Sequence, residues 1–294
     1  MEFDGPSWFN RSLDTPGEQR TVEVEGTPIN YFTWGTTGAP GLVLIHGGGA
    51  NAHWWTYLAP EFADEYQVVA MDLSGHGDSG WRDEYSLDTW TNEVVGVIED
   101  SGMAPKPIVV GHSMGGFVTI VTAANHCEKI GGAVVLDSPV SKPDPEVEQG
   151  RRGTDFKDPK VYPTRELATE KWRTVPAQKN YEPYIKTYVA WNSLREVDDG
   201  WTWKFDPRLF LPKRSEPGRV LGNITCRVAV FRTEFGLVTD EIGKYMYEQL
   251  GRVAPVILLP QAGHHMMLDQ PLLLLTGLRT LLADWEHSVP FTRD

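Results

Sequence analysis

The sequence predicts an α/β fold with a mostly parallel central sheet, and two patterns support this prediction. First, short apolar runs alternate along the chain with segments of helical pattern, as in a parallel sheet that helices cover on both faces. Second, each run leads into a glycine-rich or polar turn, at the strand end where such sheets bind ligands. The predicted strands span residues 42–45, 67–71, 108–110, 133–136, 228–231 and 256–259.

Two further segments complete the predicted organisation. Residues 20–34 alternate apolar and polar side chains around a Gly-Thr-Pro turn, which predicts a β-hairpin. The alternation of strands and helices stops between residues 139 and 222, a stretch rich in proline, charged and aromatic residues. A structureless loop of roughly eighty residues would be unusual. We therefore predict a helical lid at 139–222, inserted between core segments 1–138 and 223–294.

Composition and charge narrow the class of partner. The chain has 294 residues, of which 40% are hydrophobic and 23% charged, the balance of an ordinary globular protein. Its net charge of −13 argues against nucleic acid or an anionic membrane as the main partner. A small-molecule substrate is the expected partner, and the sequence leaves open a monomer or a homodimer.

The cysteines and the apolar segments predict a cytoplasmic location. Cys127 and Cys226 are interpreted as buried free thiols in a reducing compartment, with a disulfide between them as the alternative. The acidic start of the chain shows no signal peptide, and the leucine run at 272–275 is too short to span a membrane. No metal-spaced cluster and no phosphate loop is seen, so neither a metal nor an organic cofactor is expected.

The strongest candidate site is the run Gly111-His112-Ser113-Met114-Gly115, which follows a predicted strand and precedes a predicted helix. In that context a G-x-S-x-G run places a serine on a strained turn, where the two glycines leave room for the chain to fold back. The helix that starts at Met114 presents its backbone N–H and its dipole to negative charge forming near Ser113. Ser113 is therefore the predicted nucleophile.

A second glycine-rich turn, His46-Gly47-Gly48-Gly49, follows the predicted strand at 42–45. Glycine allows the backbone to approach a substrate oxygen closely, so we predict that the N–H groups of Gly48 and Met114 form an oxyanion hole. A plain tight turn is the alternative. His46 is interpreted as a structural residue that holds this turn.

The serine needs a base to accept its proton, and histidine suits that role near neutral pH. In proteins with this strand–serine–helix turn the order along the chain is serine, acid, histidine. This order leaves His264, His265 and His287 as candidates. His287 is interpreted as a surface residue near the end of a helix. His264 directly follows a glycine at a predicted strand end and is the predicted base, with His265 packing against or lining the pocket.

Together these motifs resemble the α/β-hydrolase superfamily over residues 20–287. The motifs are HGGG at 46–49, DLSGHGDSG at 72–80, GHSMGG at 111–116 and AGHHMMLDQP at 262–271. The resemblance implies an α/β-hydrolase fold with a lid at the usual insertion point and a Ser-acid-His triad, but no particular substrate. In relatives the 72–80 turn is mainly architectural. Epoxide hydrolases and dehalogenases carry a nucleophilic Asp where this chain has Ser113, which argues against both activities.

The position of the acidic residue of the triad departs from the pattern of this superfamily. Most relatives carry an Asp shortly after the strand that corresponds to residues 228–231, but here the 232–238 segment has none. Some members place the acid at the end of the preceding sheet strand, where this chain has Asp137. The resemblance therefore favours Asp137, with Glu234 as the alternative acid and Asp240 as a further one.

The resemblance implies a serine hydrolase that cleaves a carboxylic ester or lactone. The aromatic lid favours an apolar pocket for a small to medium apolar or aromatic substrate, with Trp54, Trp55, Trp191 and His265 as candidate pocket residues. Packing within the core or the lid is the alternative for the tryptophans. Three other functions remain open on the same fold: a C–C bond hydrolase of aromatic degradation, a cofactor-free perhydrolase or haloperoxidase, and a ligand receptor with slow turnover.

Overall fold

The computed structural model describes residues 3–142, 159–209 and 216–288. In chain order its strands are β1 (Glu18–Val24), β2 (Thr27–Trp34), β3 (Gly41–Ile45), β4 (Gln67–Met71), β5 (Ile108–His112), β6 (Gly132–Leu136), β7 (Leu194–Val197), β8 (Gly200–Trp203), β9 (Arg227–Phe235) and β10 (Val256–Gly263). The helices are α1 (Ser7–Leu13), α2 (Leu87–Ser101), α3 (Met114–Asn125), α4 (Arg165–Lys171), α5 (Pro183–Asn192), α6 (Asp240–Gln249), α7 (Met266–Asp269) and α8 (Pro271–His287). Short 3₁₀ turns lie at Ala52–Trp54, Ala59–Phe62, Pro217–Arg219 and Leu221–Asn223.

Eight of the described strands form one sheet in the order β1-β2-β4-β3-β5-β6-β9-β10. The first three strands in this order form two antiparallel pairs, β1 with β2 and β2 with β4. All the other neighbouring strands pair parallel. The predicted α/β fold with a mostly parallel sheet is confirmed, and so is the hairpin predicted at residues 20–34. The parallel pairing brings the carboxyl ends of β5, β6, β9 and β10 to the same edge of the sheet.

The apolar strands are buried because they pack on both faces. In β3, Leu42 and Leu44 belong to one core cluster, which includes side chains of α8. Val43 and Ile45 belong to the other cluster, which includes side chains of α2 and α3. Successive side chains of a strand point to opposite faces, so a continuous apolar run is what a sheet between two helical layers requires.

The described part of the predicted lid, residues 139–142, 159–209 and 216–222, contributes no strand to the eight-stranded sheet. It contains α4 and α5, but it also contains β7 and β8, which pair antiparallel as a hairpin of their own. The two helices agree with the helical character expected for this segment, and the hairpin is an addition that the sequence did not predict. The β-branched and aromatic side chains of this hairpin favour strands, and Gly200 follows its two-residue turn. Residues 143–158 and 210–215 of the predicted lid lie outside the described residues.

Two other expectations concern the thiols and the membrane. Cys127 and Cys226 are free and half-buried, rather than fully buried as predicted. The Cys127 sulfur accepts a hydrogen bond from the Thr225 hydroxyl at 3.1 Å, and burial raises the pKa of Cys226 to about 11. None of the described helices has both the length and the apolar character needed to cross a bilayer.

Candidate active site

Ser113 lies on the tight turn between β5 and α3. Its φ of +53° and ψ of −116° place it outside the regions that non-glycine residues favour. The turn requires glycines on both sides. A Cβ at Gly111 would lie 2.2 Å from the carbonyl oxygen of Gly115, and a Cβ at Gly115 would lie 2.3 Å from that of His46. The local sequence therefore permits a strained turn that holds the serine at the end of β5.

His264 lies between Ser113 and Asp137 and hydrogen-bonds to both. Its Nε2 is 3.1 Å from Ser113 Oγ, and its Nδ1 is 2.6 Å from Asp137 Oδ2. A carboxylate accepts and does not donate, so the Nδ1 proton of His264 belongs to this bond and Nε2 presents its lone pair to the serine hydroxyl. The structure thus brings the predicted nucleophile, base and acid into one hydrogen-bonded chain.

Asp137 is fully buried directly after β6, with a left-handed φ of +43°. Its carboxylate accepts hydrogen bonds from the backbone N–H groups of Leu237 at 2.8 Å and Val238 at 3.1 Å. Burial acts to raise the pKa of Asp137, but these bonds and the interaction with His264 outweigh it and lower the pKa below the ordinary value of 3.8. Asp137 is therefore a carboxylate at neutral pH.

The two alternative acids lie elsewhere. β9 extends to Phe235, so Glu234 lies in the strand and not in the loop expected after residue 231. Its exposed carboxylate accepts hydrogen bonds from the backbone and side-chain nitrogens of Gln261. Asp240 is exposed and pairs with Arg232 at 2.5 Å. Neither carboxylate hydrogen-bonds to His264.

The predicted oxyanion donors flank Ser113. Gly48 lines the same cavity as the serine, together with Gly47 and Gly49. Met114 directly follows Ser113 as the first residue of α3. Within the described residues, neither the Gly48 N–H nor the Met114 N–H has a hydrogen-bond acceptor, so both are free to bind an oxygen of a ligand.

Two buried side chains hold the turns around the site. His46 Nε2 accepts a hydrogen bond from the backbone N–H of Leu73, and its Nδ1 donates to the carbonyl of Gly47. Burial lowers the pKa of His46 well below its usual value, so the ring is neutral. Asp72 accepts hydrogen bonds from Ala52, Asn30 and Asp78 and ties three segments together. These contacts match the structural role expected for His46 and for the 72–80 turn.

Ser113 lines a cavity of about 610 Å³ between the core and the 139–222 segment. The core contributes the glycine turn and Trp54, while the 139–222 segment contributes residues 171–176, which include Trp172, and the aromatic side chains of Trp203 and Phe205. Trp54 and Trp172 lie against each other, with ring centroids 5.8 Å apart. The cavity thus has mainly apolar walls, to which four aromatic rings contribute, and Ser113 is one of its lining residues, as a site for an apolar ligand requires.

Two of the four predicted pocket residues line the cavity, and the other two do not. Trp54 and His265 line the cavity. Trp55 does not, because its ring is fully buried in the hydrophobic core. Trp191 does not line it either, because its ring lies under the Arg165 guanidinium at 4.1 Å in the lid. Trp55 and Trp191 thus agree with the alternative of packing in the core or in the 139–222 segment, and aromatic content alone did not separate pocket walls from packing.

Several residues of the site escaped prediction from the sequence. His112 supports the predicted base, because its Nε2 donates a hydrogen bond to the carbonyl of His264 at 2.9 Å. Gln178 of the lid accepts a hydrogen bond from the His265 N–H, and Asp269 accepts one from the Gly263 N–H. The position of His112 directly before the nucleophile was a usable signal. The sequence around Gln178 gives no such signal, because its partner His265 is 87 residues away in the chain.

Comparisons with known proteins agree with this architecture. A model of the alpha/beta hydrolase family matches residues 42–275. The chain is 25% identical over 268 residues to the esterase Rv0045c of Mycobacterium tuberculosis, a match that covers 88% of each protein. It is 32% identical over 113 residues to the pimeloyl-[acyl-carrier protein] methyl ester esterase of Edwardsiella ictaluri, covering 37% of this chain and 42% of that protein.

Among solved structures, E-2-(acetamidomethylene)succinate hydrolase aligns with a TM-score of 0.80 and 18% sequence identity. The alignment covers 91% of this chain and 99% of that protein. At this identity the likeness concerns the fold alone.

Proposed function

The chain belongs to the alpha/beta hydrolase family, and we propose that it cleaves a carboxylic ester or lactone through an acyl-enzyme on Ser113. The observation that carries this proposal is the hydrogen-bonded chain from Ser113 through His264 to Asp137, with Ser113 lining a mainly apolar cavity. Two matched relatives bear the name esterase, which supports the ester as the bond that is cleaved.

In the first step Ser113 Oγ attacks the carbonyl carbon while His264 Nε2 takes the hydroxyl proton. The resulting imidazolium is stabilised by the carboxylate of Asp137, which keeps its negative charge because its pKa is lowered. The carbonyl oxygen becomes an oxyanion, which the N–H groups of Gly48 and Met114 bind in this proposal. Loss of one such donor typically costs on the order of 10²–10³-fold in rate.

Collapse of the tetrahedral intermediate breaks the bond to the leaving-group oxygen, which takes the proton from His264. An ester releases its alcohol in this step, whereas the alcohol of a lactone stays attached to the acyl group. Water then enters, gives a proton to His264 Nε2 and attacks the acyl carbon. The second intermediate releases the acid and returns the proton to Ser113 Oγ.

The size and lining of the cavity support a substrate with a small to medium apolar or aromatic acyl or alcohol group. Its volume of about 610 Å³ is that of a typical small-ligand site, and the rings of Trp54, Trp172 and Trp203 supply apolar walls. The lid completes these walls, so we propose that residues 139–222 contribute to substrate selection.

The test is a steady-state assay on p-nitrophenyl esters of increasing acyl length and on a set of lactones. Wild-type protein should turn over at least one of these classes, and Ser113→Ala should lose on the order of 10⁶-fold in kcat. Retention of activity by Ser113→Ala would contradict the assignment of the nucleophile.

A second arm of the same test separates the other activities. Fluorophosphonate labelling of Ser113 without turnover of any ester or lactone would contradict the substrate class while leaving the nucleophile in place. Product analysis on vinylogous diketones would then reveal a C–C hydrolase, and a peroxide-dependent assay would reveal a perhydrolase. Ligand binding without turnover would indicate a receptor.

A further inference from the structure

Three imidazoles face one another beside Ser113. His112, His264 and His265 each offer a ring nitrogen, and these three nitrogens lie within 4.8 Å of one another. All three side chains are at most 4% exposed, and both His112 and His265 line the cavity. We call this group the histidine cluster. Only the fold creates it, since His112 lies 152 residues before His264 in the chain.

The hydrogen bonds of the cluster fix where each ring carries its proton. His112 Nε2 lies 2.9 Å from the carbonyl oxygen of His264, and His265 Nε2 lies 3.2 Å from that of Pro176. A carbonyl oxygen only accepts, so in both neutral rings the proton is on Nε2 and the lone pair is on Nδ1. In His264 the bond to Asp137 places the proton on Nδ1 and leaves the lone pair on Nε2.

Two of these lone pairs have no partner. The Nδ1 atoms of His112 and His265 are buried, and neither hydrogen-bonds to any described residue. A buried polar atom without a partner typically costs about 1–3 kcal/mol, so a ligand that accepts both lone pairs would relieve this cost. The Nδ1 of His112 also lies next to the glycine turn, where a Cβ on Gly47 would come within 3.1 Å of it.

The arrangement matches the way in which histidines bind metals. A metal-binding histidine usually donates its other N–H to a carboxylate or a backbone carbonyl, which sets the tautomer and orients the ring. All three rings of the cluster have such a partner: Asp137 for His264, a backbone carbonyl for His112 and another for His265. Imidazole nitrogens suit zinc, copper and nickel, while magnesium and calcium prefer oxygen.

We propose that the histidine cluster binds a divalent transition-metal ion such as Zn²⁺, and that this ion inhibits the enzyme. The metal takes the Nε2 lone pair of His264, which then cannot accept the proton of Ser113. Coordination transfers no electron and breaks no bond to carbon, and Ser113 Oγ or water fills the fourth position. The inhibition rests on the proposed function, whereas the metal site itself rests only on the geometry of the cluster.

Simple geometry sets the movement that binding requires. A tetrahedral zinc with Zn–N distances of about 2.0–2.1 Å holds its nitrogens about 3.3 Å apart. Nitrogens up to 4.8 Å apart must therefore approach one another for one ion to bind all three. The buried charge of Asp137 and the net charge of −13 both favour a cation here.

The test measures metal binding directly, by isothermal titration of the EDTA-treated and dialysed protein with ZnCl₂. Wild type should bind one zinc at the cluster. His112→Gln and His265→Gln should each weaken this binding by at least about 10–100-fold, the loss seen when even an outer-shell partner is removed. His126→Gln and His287→Gln are matched controls outside the cluster and should bind as wild type does. Equal loss in the controls, or no loss in the cluster variants, would overturn the site.

A measurement on the wild-type protein covers the case in which a cluster variant does not fold. Zinc-edge X-ray absorption of the 1:1 complex should show three imidazole nitrogens at about 2.0–2.1 Å. A shell of oxygens, or a single imidazole, would contradict the proposal.

Inhibition is measured separately from binding. Zinc should suppress wild-type ester hydrolysis, EDTA should restore it, and Ser113→Ala should still bind zinc although it does not hydrolyse esters. If wild type binds zinc through the cluster but hydrolyses no ester, the proposed function fails and the metal site stands. If zinc binds at the cluster while hydrolysis continues unchanged, the inhibition is wrong.

Discussion

The neighbouring strands β6 and β9 each carry a carboxylate at or near their ends, and only one of these two carboxylates faces the candidate site. Asp137 directly follows β6, is fully buried and hydrogen-bonds to His264. Glu234 lies one strand further along the sheet, near the end of β9, and is exposed. The sequence offered both as the acid, with Asp137 favoured.

The difference follows from where each strand ends. β6 ends at Leu136, in register with His112 of β5, so the next residues of the two strands, Asp137 and Ser113, emerge side by side. β9 continues for four residues beyond Phe231, which pairs with Leu136, and Glu234 therefore lies along the strand. The loop that follows β9 still contacts Asp137, but through backbone N–H groups only. Strand length, as well as residue type, decides which carboxylate reaches His264.

Of the substitutions that test this comparison of two carboxylates, replacing the buried Asp137 should have the largest effect. Asp137→Asn should lower kcat/KM on an active ester by on the order of 10⁴-fold, because an amide cannot stabilise the imidazolium and favours the wrong tautomer of His264. The measurement is steady-state kinetics, with circular dichroism to verify folding. Asp240→Asn is the matched control, since the carboxylate of Asp240 is exposed, pairs with Arg232 and makes no hydrogen bond to His264. A rate within a few-fold of wild type for Asp137→Asn would refute its assignment as the acid.

An intermediate effect is expected from the loop that follows β9 and hydrogen-bonds to Asp137. A Cβ at Gly236 would lie 2.3 Å from the Asp137 carboxylate and 2.0 Å from the Thr233 hydroxyl. Gly236→Ala should therefore displace the loop and Asp137 together and lower kcat by on the order of 10²-fold, the cost of a misplacement of about 1 Å. Kinetics and thermal unfolding would measure this.

The control for this loop variant is Gly243→Ala in α6, where a Cβ would meet its neighbours at an ordinary 3.6 Å. It should keep full activity. Equal activity of both alanine variants would show that the loop does not position Asp137.

The smallest effect is expected from the exposed carboxylate. Glu234→Gln keeps an oxygen that can accept from the Gln261 N–H, so kcat/KM should stay within about two-fold and the free energy of unfolding within about 0.5 kcal/mol, as for most surface substitutions. Urea unfolding and the same kinetic assay measure both quantities. A large loss of rate here, combined with an active Asp137→Asn, would reverse the comparison and make Glu234 the acid.

Much of the fold was predictable because the signal is local. The apolar runs located the strands of the parallel sheet, and the Gly-Thr-Pro turn located the β1–β2 hairpin. The G-x-S-x-G run located the strained turn at Ser113, since glycine spacing records the close approach of the backbone. Differences arose where neighbouring segments override local pattern, as in the extension of β9 and in the β7–β8 hairpin of the lid.

The sequence by itself determined the order of strands and helices and the residue types beside each turn, because periodicity and glycine spacing act over a few residues. It also supplied Ser113, His264 and Asp137 as candidates. Only the tertiary structure decided which carboxylate meets His264, which tryptophans line the cavity, and that His112, His264 and His265 lie together. These are contacts between residues far apart in the chain, and strand length, register and lid packing set them jointly.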